Sequence, residues 1–118
     1  MLKKEILRKK SDFNRIYRKG RSIGEKYVVI FYLKNDLEYN RKAFLASKKV
    51  ENSVQRNRAK RLMRESWARE ESHLKEGYDI ILIARNTIDG RGCDEVSRSV
   101  NRGFRRAKLL TGTEGDQK

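Results

Sequence analysis

The sequence predicts an α+β fold, a small sheet packed with helices in the order helix, strand, strand, helix, strand, helix. Three observations predict it. Apolar residues recur at helical spacing in three segments. Two runs of seven residues, Tyr27–Leu33 and Tyr78–Ala84, are rich in aromatic and β-branched side chains and read as strands. A strand–helix–strand unit between Ala43 and Ala84 implies a parallel pair joined by a crossover. With 118 residues, no internal repeat, no low-complexity linker and no proline, the chain reads as a single domain over 1–118.

The elements follow in order. The first ten residues are basic and are expected to be irregular, giving flexible ends at about 1–10 and 111–118. Ser11 offers an N-cap to a short helix on which Phe13, Ile16 and Tyr17 share a face, and Gly20 ends it. In the strand from Tyr27 to Leu33 both faces are apolar, so both should be covered, or one of them by a partner. Asn35, Asp36 and Asn40 mark a turn region before a second strand, Ala43–Ala46, and a hairpin joining the two is the simplest pairing. Asn52 is placed as N-cap of the next helix with Gln55 three residues on, and that helix is expected to run to about His73. Gly77 breaks the chain before Tyr78–Ala84, apolar enough to be central. Gly90 and Gly92 mark a loop, and a last helix from about Cys93 to Leu110 carries Val96, Val100, Phe104 and Ala107 at helical spacing. The helices are expected on one side of the sheet.

Charge narrows the partners. The chain holds 30 basic and 16 acidic residues, a formal net charge of +14, which suits nucleic acid or an anionic membrane surface. A single cysteine, Cys93, excludes an intrachain disulfide and fits a reducing compartment. No run approaches the ~18 apolar residues of a membrane span, and Met1–Arg8 lacks the apolar stretch of a signal peptide. A cytoplasmic protein without a membrane partner is predicted. His73 stands alone and Cys93 has no nearby partner, so no metal site is predicted.

The segment Asn52–Glu65 is the most informative. Five basic residues (Arg56, Arg58, Lys60, Arg61, Arg64) fall within nine positions. Between Arg41 and Arg64 there are nine basic residues and one acid, Glu51. At about 100° per residue, Ala59, Leu62, Met63 and Trp67 share one sector and form a stripe to bury. Asn57, Lys60, Arg61 and Arg64 fall together roughly opposite, with Arg56 and Arg58 flanking them. A rigid ladder of guanidinium and ammonium groups of this kind suits phosphates, since the planar Arg fork grips them at two points. Lys48 and Lys49 extend the patch. The competing reading is a solvated face tied by pairs such as Arg61 with Glu65, but one acid cannot neutralise so many bases. A second surface is suggested by Phe13, Tyr17 and Phe31, with Lys9, Lys10 and Arg15 close by, because aromatics interleaved with cations hold unpaired nucleotides. Read from periodicity alone, those three aromatics are core.

The run Ser47-Lys48-Lys49, then Val54-x-Arg56-Asn57-Arg58-Ala59-Lys60-Arg61-Leu62-Met63-Arg64, closely resembles the signature of the bacterial ribonuclease P protein component family. Ser11-Asp12-Phe13, Arg15–Ser22 and Tyr78–Arg85 are similar to the family's pattern in the right order, so the resemblance covers nearly the whole chain. The chain departs from it at Ala43, where the family usually has Gly, and at Glu51, an acid beside the basic helix. The resemblance implies a small, mainly antiparallel sheet of about four strands packed with three helices, with a left-handed βαβ crossover. It implies a subunit that binds a catalytic RNA and the 5′ leader of precursor tRNA, assisting endonucleolytic removal of the leader. On that reading the RNA and its Mg²⁺ ions carry the chemistry, and the protein has no catalytic residue, no tightly bound metal and no need of a protein oligomer. Lys48, Lys49, Arg56, Asn57, Arg58, Lys60, Arg61 and Arg64 would contact the ribonuclease P RNA. Phe13, Tyr17 and Phe31 move from core to leader contacts. A reading from a different class is a non-catalytic ribosomal RNA- or DNA-binding module that uses the same helix.

Overall fold

The computed structural model describes residues 3–47, 49–50 and 52–111. Helix α1 spans Lys10–Lys19, strand β1 Arg21–Gly24, β2 Val28–Lys34, β3 Arg41–Ala46, helix α2 Ser53–Glu70, strand β4 Tyr78–Ala84 and helix α3 Cys93–Arg106. The four strands form one sheet in the order β1-β2-β4-β3, antiparallel except for the β3–β4 pair. Three helices on a mixed, mainly antiparallel sheet is the α+β class the sequence predicts.

One expectation about the sheet, a hairpin between β2 and β3, is corrected. The hairpin partner of β2 is β1, and β4 lies between β2 and β3. Strand β1 contains a single large apolar residue, Ile23, so it carries no alternating pattern to read. Strand β4 is apolar nearly throughout and therefore takes a neighbour on each edge, β2 on one and the parallel β3 on the other.

The helices are not all on one side. Ile30 and Leu82 point to a core with Ala59, Met63 and Trp67 of α2 and Val96, Val100 and Phe104 of α3. Ile81 and Ala43 point the other way, to Ile16 of α1 and Leu7, with Phe31, Leu33, Leu45 and Ile83 partly buried around them. The apolar character of both faces of β2 and β4 demanded this second layer.

The ends differ from expectation in detail. Helix α1 begins at Lys10 with Lys9 at the N-cap and no side-chain cap, so Ser11 lies inside the first turn. The segment before it is not loose: Ile6 pairs with Lys42 beside β3, the Leu7 N–H donates to the Lys42 carbonyl at 2.9 Å, and Leu7 is buried. Helix α2 ends at Glu70 and continues as a 3₁₀ turn to His73, whereas α3 stops at Arg106, with Lys108 in the left-handed region (φ 60). Leu110 then pairs with Leu74. The tail after Thr111 lies outside the described residues.

Gly20 lets α1 close onto the sheet. A Cβ there would stand 2.5 Å from the Ile16 carbonyl oxygen and 2.7 Å from that of Tyr32, distances that only a missing side chain permits.

Candidate nucleic-acid interface

Helix α2 starts where the sequence places it, with the Asn52 side chain accepting the Gln55 N–H at 2.9 Å. Its buried residues are Ala59, Leu62, Met63, Ser66 and Trp67, the predicted stripe with one serine added. Ser66 is tolerated because its hydroxyl donates to the Leu62 carbonyl at 2.8 Å and accepts from Ser97 of α3 at 3.0 Å. Trp67 is wedged between Phe44 and Phe104, edge to face with each at 5.9 Å between centroids. Docking this stripe fixes the opposite face.

On that face Asn57, Arg61 and Arg64 are exposed and Lys60 half-buried. The Arg64 guanidinium lies 6.0 Å from the centre of the Phe44 ring. The flanking arginines are partly committed: Arg56 donates to the Val50 carbonyl at 3.2 Å and Arg58 to that of Arg91 at 2.7 Å. Each retains further donors, since a guanidinium has five N–H groups. Among the described residues none of Arg56, Arg58, Lys60, Arg61 and Arg64 makes an ion pair, and the Arg61–Glu65 pair that would have made this an ordinary solvated face does not form. Lys49 is exposed just before the helix; Lys48 and Glu51 lie outside the described residues. Val54, at the helix entry, is 71% exposed and outside the stripe.

The three aromatics form a connected set on the other layer. Phe13 and Tyr17 lie 6.4 Å apart on successive turns of α1, and Tyr17 meets Phe31 of β2 edge to face at 5.0 Å. Phe13 and Phe31 are half-buried and Tyr17 is 42% exposed, its partial burial pushing the phenol above its ordinary value. They are therefore both packed and accessible. At the β3 edge, a groove of about 200 Å³ has Leu7, Phe13, Leu45, Phe44 and Arg64 in its walls. It joins the aromatic layer to the α2 ladder.

A family model described as Ribonuclease P matches residues 1–108. The chain belongs to the ribonuclease P protein family. Among relatives in that family, the ribonuclease P protein component of Alkaliphilus metalliredigens is 42% identical over 105 residues, covering 89% of this chain and 95% of that protein. The structure of the Staphylococcus aureus RNase P protein is similar with a TM-score of 0.81 and 31% identity, covering 91% of this chain and 98% of that one. The RNase P protein from Thermotoga maritima gives 0.75 at 27% identity, covering 83% and 93%. Membership decides between the two functional readings: the chain is a protein subunit of ribonuclease P, the ribonuclease that processes tRNA 5′ ends.

Within this ribonuclease P protein fold, sequence reasoning misplaced one basic residue. Arg15 is no free cation beside the aromatics. It donates to Asp79 at 2.6 Å and lies 3.4 Å from Asp12. Asp79, fully buried, also accepts from Arg41 Nε and Nη2 at 2.8 Å each and from Asn35 at 2.9 Å. The single acid in an otherwise apolar central strand was the available signal, because a buried carboxylate must find cations and donors. Phe44, which packs beneath Arg64, was also missed, since in the sequence it reads only as a strand residue.

Proposed function

We propose that the α2 ladder binds the catalytic RNA of ribonuclease P and that Phe13, Tyr17 and Phe31 hold the single-stranded 5′ leader of precursor tRNA. The supporting observation is the groove at the β3 edge, which has both Phe13 and Arg64 in its lining and so brings the aromatic surface of one sheet face to the cationic surface of the other. Cations along the track attract phosphates, and the exposed ring of Tyr17 with its neighbours offers stacking faces for unpaired bases.

The protein contributes binding and orientation. Cleavage of the phosphodiester belongs to the RNA and the Mg²⁺ ions that the RNA holds. A positive surface lowers the repulsion between the two RNAs, which reduces the Mg²⁺ needed for their association. One protein copy suffices for this role, and its place is the cytoplasm, beside the precursor tRNA. Mixed with a bacterial ribonuclease P RNA, the chain should promote precursor-tRNA cleavage at low Mg²⁺; an absence of stimulation with a competent RNA would sink the reading.

Leader contact has its own test. Phe31→Ala should weaken binding of precursor tRNA by the assembled enzyme and leave mature tRNA binding nearly unchanged, because only the precursor carries a leader. Equal losses for both would return Phe31 to a purely packing role.

A further inference from the structure

We propose that α3 carries a second docking face, one that takes the phosphodiester backbone of another RNA segment, so that the helical layer holds RNA at two separate places. This rests on the reading of the chain as an RNA-binding subunit. Val96, Val100, Gly103 and Phe104 turn towards the core, which sets Arg98, Arg102 and Arg105 on the outer face at i, i+4 and i+7, all three exposed. Like charges at this spacing repel and contribute nothing to folding.

The acids around the row are engaged elsewhere. Asp94 pairs with Arg69 at 2.9 Å and Glu25 with Arg106 at 2.6 Å. Glu95 accepts the Gly92 N–H at 3.2 Å and pairs with Arg91 at 3.4 Å. Arg105 donates to the Asn101 side chain at 2.9 Å, whereas among the described residues the side chains of Arg98 and Arg102 have no hydrogen bond or ion pair. Those two form a ridge between two grooves. One, of about 300 Å³, runs along Lys26, Tyr27 and Ser99; the other, of about 510 Å³, runs along Arg69, Ser97 and Asn101.

Chemistry selects the occupant. Tyr27 is buried, and no exposed aromatic stands in the row to stack an unpaired base. Acids line both grooves, Glu25 and Glu95 in one and Glu70 and Asp94 in the other, but each is held by Arg106, Arg91, Asn101 or Arg69. The arginine ridge between them, with no ring to stack a base, reads backbone charge, which is what an RNA duplex presents. The face is distinct from the α2 ladder. Helix α2 packs over β3 and β4 and α3 over β1 and β2, and the seam between them is closed by the Arg69–Asp94 pair and by Asn101 donating to Glu70 at 2.6 Å.

Photocrosslinking from single cysteines tests this in the assembled particle. In a Cys93→Ser background, Arg61→Cys and Arg102→Cys, each carrying a photoreactive group, are assembled with a bacterial ribonuclease P RNA. Both positions should crosslink to RNA, at nucleotides in different segments. The triple variant Arg98→Gln/Arg102→Gln/Arg105→Gln should melt as the parent does and lower the slope of log K against log salt by roughly 2 to 3. Crosslinks from position 61 alone, crosslinks from both positions to the same nucleotides, or an unchanged slope would overturn the proposal. No crosslink from either position would overturn the RNA-binding reading and this proposal with it.

Discussion

Arg41 gives Nε and Nη2 to the buried Asp79 carboxylate at 2.8 Å each, while Arg61 on α2 extends into solvent without an ion pair among the described residues. The side chains are chemically identical and their surroundings differ. Around Asp79, Arg15, Arg41 and Asn35 converge from α1, β3 and the turn after β2, tying the α1 layer to the sheet. On α2, Lys60, Arg61 and Arg64 stand in a row above a buried stripe, and among the described residues none of them meets an acid. A basic residue with an internal carboxylate holds the fold, and one without it keeps its donors open to solvent. On the proposed reading, a chain of net charge +14 thereby divides its cations between stability and RNA binding.

The largest effect that would break the comparison lies at Asp79. Asp79→Ala leaves Arg15 and Arg41 with only the more distant Asp12, 3.4 and 3.5 Å away, as a shared acid, and removing one partner of a buried pair costs about 3–5 kcal/mol. Because Arg15 and Arg41 keep 36% and 21% side-chain exposure, the lower end of that range is expected. A urea titration measures it; a loss below about 0.5 kcal/mol, typical of a surface site, would remove the network from the stabilising set.

Gly20→Ala comes next. The alanine Cβ would meet two backbone oxygens, those of Ile16 and Tyr32, which cannot move aside as a flexible side chain does. A cost of about 1–3 kcal/mol is expected, read by thermal melting. An unchanged melting temperature would show that α1 docks on β2 more loosely than the close approach implies.

A smaller effect involves the buried cation Lys42. Lys42, 2% exposed, lies 3.4 Å from Glu5 and 3.2 Å from Glu71, and Glu71 also accepts from the Trp67 indole at 2.9 Å. The hydrogen bond from Trp67 holds the Glu71 carboxyl below its ordinary value against the opposing effect of burial, with Lys42 adding to the lowering. A depressed folded-state value stabilises above the unfolded value of about 4.3, and that contribution is lost as pH falls through the folded value. The exposure of Glu71 keeps the effect modest. Melting of Glu71→Gln should show a shallower acid-range decline than the parent; parallel declines would assign the acid sensitivity to other carboxylates.

Much of the fold was legible where periodicity is strong. The burial of α2 follows from its 3.6-residue period, and the central place of β4 from its apolar run over 80–84. The parallel β3–β4 pair was legible from the strand–helix–strand order, but the hairpin was not, because β1 has only Ile23 to announce it and pairs through backbone groups that any residue carries. The placement of α1 depended on a clue already present, the apolar character of both faces of β2, which admitted either a helix or a partner as cover. The aromatic cluster was ambiguous for a physical reason: Phe13, Tyr17 and Phe31 pack on each other and remain half open, so core and contact surface are the same atoms. Arg15 could not be told from its neighbours Lys9 and Lys10 until β4 brought Asp79 to it from a distant part of the chain.

The smallest expected effect on stability, within about 0.5 kcal/mol of zero, is that of Lys60→Ala, Arg61→Ala and Arg64→Ala. The same substitutions give the most direct test of the central claim, that these unpaired cations are the handle on the RNA. Binding of a bacterial ribonuclease P RNA is measured across a salt series for the parent, each single variant and the triple variant. Each substitution should flatten the slope of log K against log salt by about one counterion, and the triple variant by about three. Slopes equal to the parent's, in variants that melt as it does, would contradict the account.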